Sequence, residues 1–361
     1  MQLSHLELFA GIGGFRKAID LFSEDNNYQS KCIAYSEFDK FAVQTYEANF
    51  QNSKNNNLGD IEQFTLNLKN IENLKRFNLL TAGFPCQPFS SLGKKKGLSD
   101  KRGNLFYDIA KIAMIKQPKI VLLENVRNLK NHDSGNTFKT IKEVLTKECG
   151  YDLHYDVFNT ANFKLPQNRR RLYILGTRRD LKFKDIDFSE EEIKKSFENI
   201  DYNTSLKKYK DVTKILEKKV DEKYYLSKKI KPTILSNGTK NFYSKSEINQ
   251  LIARPLTATM VKMHRASQDN YYSDNFIFST SKQRNQLIKE PKENKKLINE
   301  RIRKLTPKEA LLLQGFDLEF YKNTTKAGVS DHQIYKQAGN AVSINVVYAI
   351  LNYLKEIKII N

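Results

Sequence analysis

Phe77-Asn78-Leu79-Leu80-Thr81-Ala82 runs directly into Gly83-Phe84-Pro85-Cys86-Gln87-Pro88-Phe89-Ser90, and this junction decides the fold. An apolar run of strand length feeds a turn punctuated by one glycine and two prolines. A single cysteine stands between the prolines. Open α/β sheets deliver reactive side chains in this way, on loops at their carboxyl edge. Pro85 and Pro88 restrict the backbone on both sides of Cys86, so the sulfur is presented rather than packed. A buried cysteine acting as a small hydrophobe is the ordinary alternative. A glycine and two prolines are a poor way to build a core around one.

The same alternation extends outward. Residues 4–9, 31–36, 120–123 and 172–176 read as further strands, and 14–22, 39–49, 105–116 and 137–148 as helices. Strand and helix in turn argue for a parallel sheet with helices on both faces. After residue 177 the pattern changes, and 178–300 is rich in Lys and Glu with few periodic runs. Regularity returns at Thr306-Pro307, an N-cap and first-turn pair opening a helix over 308–314 that Gly315 stops. Residues 344–357 read as a closing amphipathic helix.

The chain of 361 residues is long enough for one large domain or two unequal ones. Cys32, Cys86 and Cys149 are far apart, and the five histidines are scattered, so neither disulfides nor a metal site is implied. A reducing, cytoplasmic setting is expected. No leader pattern opens the sequence, and no apolar run approaches the roughly 20 residues that span a bilayer. The net charge of +20, shared by both halves, points to a polyanionic partner.

Five more motifs accompany the Gly83–Ser90 octet in order: Leu8-Phe9-Ala10-Gly11-Ile12-Gly13-Gly14-Phe15, Glu124-Asn125-Val126, Gln167-Asn168-Arg169-Arg170-Arg171, Arg303-Lys304-Leu305-Thr306-Pro307 with Gln314-Gly315-Phe316, and Gly339-Asn340-Ala341-Val342. In sequence, order and spacing the set resembles the C5-cytosine DNA methyltransferases, from residue 8 to residue 342. A lone Gly-rich turn would be weak evidence. The resemblance implies an α/β fold: an S-adenosylmethionine-dependent methyltransferase (Rossmann-like) mixed sheet with helices on both faces, plus a smaller target-recognition domain. The expected divisions are 1–178 (catalytic and cofactor-binding), 179–328 (target recognition, with the hinge) and 329–361, which returns to the catalytic domain.

Glycines in the 9–14 turn let a ligand approach the backbone, and the helix that follows offers unpaired N–H groups. Glu37 ends the second strand, where a carboxylate binds ribose hydroxyls in nicotinamide and S-adenosylmethionine sites alike. By resemblance the cofactor is S-adenosyl-L-methionine, leaving as S-adenosyl-L-homocysteine. Phe9, Gly11, Ile12, Gly13, Glu37, Phe38, Asp60, Ile61, Asn340 and Ala341 would hold it. Phe38 stands where many members of the family carry Trp, and Ala341 where Ser is frequent.

Cytosine C5 is too weak a nucleophile to take a methyl group unaided. A thiolate adding to C6 makes it enamine-like, and Cys86 is the expected thiolate, its pKa lowered by neighbouring arginines. Glu124 would protonate or hydrogen-bond N3. By resemblance Arg169 would hold the cytosine O2, and Arg171 would position Glu124 or the base. The target must first be flipped out of a duplex. Ser90, Lys94 and Arg102 would sit on a loop closing over it, giving phosphate contacts. A lysine run of this kind is otherwise a solvated face. Arg254-Pro255-Leu256-Thr257-Ala258-Thr259 resembles the Thr-Leu element of the family's recognition domains. Arg254, Thr257, Arg265 and Gln268 are the expected DNA-binding residues of that window, with a polar turn as the alternative.

Other readings predict different products. A tRNA cytosine-5 methyltransferase keeps the chemistry, but leaves a long basic variable region without a purpose. A catalytically dead DNA-binding protein would not need Cys86, Glu124, Arg169 and Arg171 together, and a nicotinamide oxidoreductase would not need the octet. The sequence opens almost at the cofactor turn, as in compact bacterial enzymes of restriction–modification systems. Double-stranded DNA is the expected partner, with a cognate restriction endonuclease acting on the same site, no membrane, and a monomeric state.

Overall fold

The computed structural model describes residues 2–51, 53–85, 105–200, 204–239, 241–262, 265–289 and 294–360. Cys86, Ser90, Lys94 and Arg102 lie outside the described residues. The chain divides into two units. The first is Met1–Phe163, Arg170–Leu206 and Val342–Asn361; the second is Lys164–Arg169 and Lys207–Ala341.

Six strands form the sheet of the first unit: β1 (Gln2–Leu8), β2 (Gln29–Ser36), β3 (Leu79–Gly83), β4 (Ile120–Val126), β5 (Tyr151–Asn159) and β6 (Arg170–Arg178), in the order β2-β1-β3-β4-β6-β5. β1 to β4 pair in parallel, whereas β6 runs antiparallel to both β4 and β5. The sheet is therefore mixed. Alternation in the sequence shows where strands lie, not which way the last ones point.

Ile120 to Leu123 is buried on both faces, which is why β4 reads as an unbroken apolar run. One face carries Leu6, Leu8, Leu80, Ala82, Val121, Leu123, Leu172 and Ile174 against helices that include Leu105–Lys116 and Asn136–Glu143. Each such aliphatic side chain contributes about 1.5–3 kcal/mol on full burial. Glu7 lies on the other face, where the Arg16 N–H of helix Gly14–Asp25 reaches it. The helix Ile344–Glu356 also packs on Gly14–Asp25, through Phe22 and Tyr348 edge to face and a Tyr348 hydroxyl bond to Asp25. It is buried nearly all round rather than amphipathic, since it lies between that helix and Glu190–Glu198.

The second unit has little regular structure. Two short strands (β7, Gly238–Thr239; β8, Phe242–Tyr243) pair, as do β9 (Tyr271–Ser273) and β10 (Ile302–Lys304). A small core gathers Ile234, Leu235, Ala266, Tyr271, Leu297 and Ile302. Its firmest polar element is Arg303, fully buried and bidentate to Glu309 at 2.7 and 2.9 Å. Glu309 also closes a capping box with Thr306 at the start of the helix Pro307–Leu312.

Candidate active site

Because β6 is antiparallel, its first residues meet the carboxyl end of β4, which is itself paired with the end of β3. The register pairs Gly83 with Glu124, Glu124 with Tyr173, and Val126 with Arg171. Glu124 and Arg171 are thus diagonal neighbours on one face, and Arg171 Nε lies 3.1 Å from Glu124 Oε1. A parallel β6 would have carried this arginine to the opposite edge. Glu124 is 8 % exposed, so its charge needs that partner.

Asn125 points the other way along the chain. Its amide Nδ2 donates to the Phe84 carbonyl at 2.8 Å, and its Oδ1 accepts from the Val126 N–H at 2.8 Å. The segment leaving β3 toward Cys86 is therefore tied to β4 two residues before the cysteine. Gly83 packs closely here: a Cβ would lie 3.3 Å from Val342 Cγ2, a tight contact, and 3.7 Å from Glu124 Oε2, an ordinary one.

The turn after β1 winds through the left-handed region at Phe9, Gly11 and Gly13 (φ 53°, 55° and 80°). A Cβ on Gly13 would come within 2.3 Å of the Phe50 ring, and one on Gly14 within 2.7 Å of the Val342 carbonyl. Only glycine fits at either position. Ile12 packs inward, buried. A Cβ on Gly11 would meet nothing within 4 Å, so the turn opens outward there.

Glu37 braces this opening: Oε2 accepts from the Gly11 N–H at 2.8 Å, and Oε1 from the Phe38 and Asp39 N–H groups at 2.9 and 2.8 Å. Phe38, beside it, is 73 % exposed. Sequence reasoning missed Asn57. Its Oδ1 accepts from the Glu37 and Gly59 N–H groups, and its Nδ2 donates to the Glu37 carbonyl. That joins the Asp60 loop to the end of β2. Asp60 itself caps the helix Ile61–Thr65 by accepting from the Glu62 N–H at 3.0 Å. Ile61, the first residue of that helix, is buried. An outward-opening glycine turn, a strand-end carboxylate and an exposed ring fit a cofactor with a nucleoside and a carboxylate.

Beneath the turn lies a polar cluster that the sequence did not announce. Glu7 is fully buried, accepts from the Tyr46 hydroxyl at 3.1 Å, and is pushed up to about 8 by burial. His5, two residues earlier on the same face, is held down at about 3, chiefly by burial and then by the Arg16 charge.

Arg169, Asn340 and Ala341 belong to the second unit. Arg169 is 2 % exposed and donates from Nη1 to the Leu256 and Gly339 carbonyls, at 3.0 and 3.1 Å, and from Nη2 to the Ala341 carbonyl at 3.0 Å. These partners are backbone groups flanking Asn340. Arg169 thereby grips the end of the helix Asp331–Asn340 rather than presenting an open fork. Gln167 adds to the clamp: its Nε2 donates to the Leu313 carbonyl, and its Oε1 accepts from the Leu256 N–H. Asn340 stays exposed.

Among the expected DNA-binding residues, Thr257 and Gln268 are exposed and Arg265 is half-buried. Arg254 is committed to its own unit, donating to the Ala266 carbonyl at 3.2 Å and to Glu247 Oε2 at 3.4 Å.

The fold and this edge define an α/β methyltransferase. The profile of the C-5 cytosine-specific DNA methylase family matches residues 3–356. The type II methyltransferase M1.ScrFI of Lactococcus lactis subsp. cremoris is 35 % identical over 98 % of this chain and 78 % of its own. M.NlaX of Neisseria lactamica is 34 % identical, over 97 % and 95 %. The structure of the Entamoeba histolytica methyltransferase EhMeth superimposes with a TM-score of 0.71 at 21 % identity, covering 99 % of this chain and 98 % of that one. That of the S. pombe Dnmt2 methyltransferase gives 0.72 at 18 %, over 99 % of each. The two structures support the fold. The chain belongs to the C-5 cytosine-specific DNA methylase family. It is a DNA (cytosine-5)-methyltransferase, and the tRNA alternative falls behind.

Proposed function

We propose that the protein methylates C5 of a cytosine flipped out of double-stranded DNA, within a short recognition sequence, and that Cys86, Glu124 and Arg171 carry the chemistry. The observation that carries this reading is the Glu124–Arg171 pair at the edge where β3 leads into Cys86. The Cys86 sulfur adds to C6 of the cytosine while Glu124 holds a proton at N3, so that electron density collects at C5. Arg171 keeps the buried Glu124 oriented and offers its remaining donors to the base. Asn125 sets the path of the chain into Cys86 through the Phe84 carbonyl. Arg169 acts at a remove, fixing the backbone on either side of Asn340.

S-adenosylmethionine supplies an electrophilic methyl group. Gly11, Glu37, Phe38, Asp60, the Ile61 backbone and Asn340 would hold it. Glu37 retains acceptor capacity for ribose hydroxyls, and the exposed Phe38 ring offers a face to the adenine. After transfer the C5 proton is lost and Cys86 is eliminated. The second unit, with Thr257, Arg265 and Gln268, would carry target recognition, and Ser90, Lys94 and Arg102 the phosphate contacts over the flipped base. Relatives named as type II methyltransferases support a restriction–modification setting with a cognate nuclease.

Labelled methyl transfer from S-adenosylmethionine to unmethylated DNA and to tRNA, wild type beside Cys86→Ser, tests the reading. Methyl on DNA at one short motif, abolished in Cys86→Ser, is expected. Transfer to tRNA alone would overturn it.

A further inference from the structure

The second unit contains a cavity of about 330 Å³, of the size that takes a small ligand group. Arg254, Thr257, Thr259, Ser267, Gln268 and Asp269 line it. Pro255 lines it too, and among the described residues no aromatic side chain contributes, so polar side chains predominate in the lining. Among the described residues that line it, Arg254 is the one cation, and that guanidinium is engaged by the Ala266 carbonyl and Glu247. The cavity is therefore no phosphate site. The described lining also holds one carboxylate, Asp269, 7 % exposed, with exposed Gln268 and Thr259 beside it.

The walls are firmly held. The Val261 N–H is donated to Asp269, and Val261, a β-branched residue, adopts φ 62°. The Asp269 N–H in turn binds the Arg265 carbonyl at 3.0 Å. On the facing side the Thr257 backbone packs so closely on Gly339 that a Cβ there would lie 2.2 Å from the Thr257 carbonyl carbon. Burial pushes the Asp269 carboxyl up to about 7. An N–H donor brought to it would offset that burial.

We infer that Asp269, with Gln268 and Thr259 at the rim, reads the exocyclic amino group of a base edge, the N4 of cytosine or the N6 of adenine, at one position of the recognition sequence. An amino N–H brought to Asp269 favours its ionised form, which accepts from the amino group and offers no donor to guanine O6 or thymine O4, acceptors themselves. The inference rests on the DNA methyltransferase reading above.

The test maps 5-methylcytosine on random-sequence DNA methylated by wild type, Asp269→Asn and Gln268→Ala. It then compares kcat/KM on the preferred site and on its single-base variants. Asp269→Asn should lower the discrimination at one A or C position about ten- to a hundredfold, and Gln268→Ala should weaken it at that same position. Unchanged site preference in both variants would overturn the inference. So would a uniform loss across all sequences with a shallower salt dependence, which marks a phosphate contact. If Asp269→Asn does not fold, the exposed Gln268→Ala decides alone. Wild type that methylates no DNA would instead sink the underlying function, and the inference with it.

Discussion

Asn125 contributes no atom to the reaction as drawn, yet its amide fixes the carbonyl two residues before Cys86. Asn125→Ala should lower kcat about ten- to a hundredfold with a smaller effect on S-adenosylmethionine binding, because a displacement of an ångström is costly at a reacting centre. Steady-state kinetics beside cofactor titration would show it. Removing the partner of a buried charge acts differently. Arg171→Leu leaves Glu124 buried without its countercharge, so activity and stability should fall together. In contrast, Arg169→Met should destabilise by at least about 2 kcal/mol, since three backbone carbonyls lose a charged donor at once. Denaturant midpoints distinguish the three variants.

At the scale of elements, caps and charge pairs do the specifying. The Thr306–Glu309 box and the Arg303–Glu309 pair share one carboxylate. Glu309→Gln should cost about 3–5 kcal/mol, read by chemical unfolding, because it strands a fully buried arginine. This helix was legible beforehand: Thr306-Pro307 announces its start and Gly315, at φ 94°, its end. The strands delivering Cys86 and Glu124 were legible too, because parallel strands buried on both faces are nearly pure apolar runs. β5 was not. Asp152 and Asp156 interrupt Tyr151–Asn159, an edge strand whose pairing with β6 is non-local. The resemblance implied a mixed sheet and an Arg171 that positions Glu124, but alternation alone did not say which strand turns antiparallel, nor give the register that joins the pair. Asn57 and Glu7 escaped because a polar side chain in a turn or strand shows its partners only once the chain has folded.

For the whole molecule, pH and salt are the informative variables. The folded state holds the Glu7 proton up to about 8, while an unfolded glutamate releases it near 4.3. The folded state thus binds the extra proton between those values, and stability falls as pH rises through them. His5 works in the opposite sense. Neutral when folded down to about 3, it draws a proton on unfolding below about 6.5, so stability falls as pH drops through that range. Glu7→Gln should therefore flatten the decline between about pH 6.5 and 8, measured by denaturant midpoints across pH. The +20 charge predicts steep salt dependence of DNA affinity, about 10³–10⁵ between 50 and 200 mM salt if 6–10 phosphates are neutralised.

Val342, whose carbonyl faces Gly14, starts the last segment of the first unit, and the buried helix Ile344–Glu356 belongs to it. On the ribosome that helix is made after the entire second unit. At roughly 5–20 residues per second, a nascent chain that has finished residue 206 waits on the order of ten seconds for the piece that backs its glycine turn. During that wait the apolar side of Gly14–Asp25, Phe22 included, lacks its final cover. The order of synthesis thus makes the last segment of the first unit the last part of the fold to arrive.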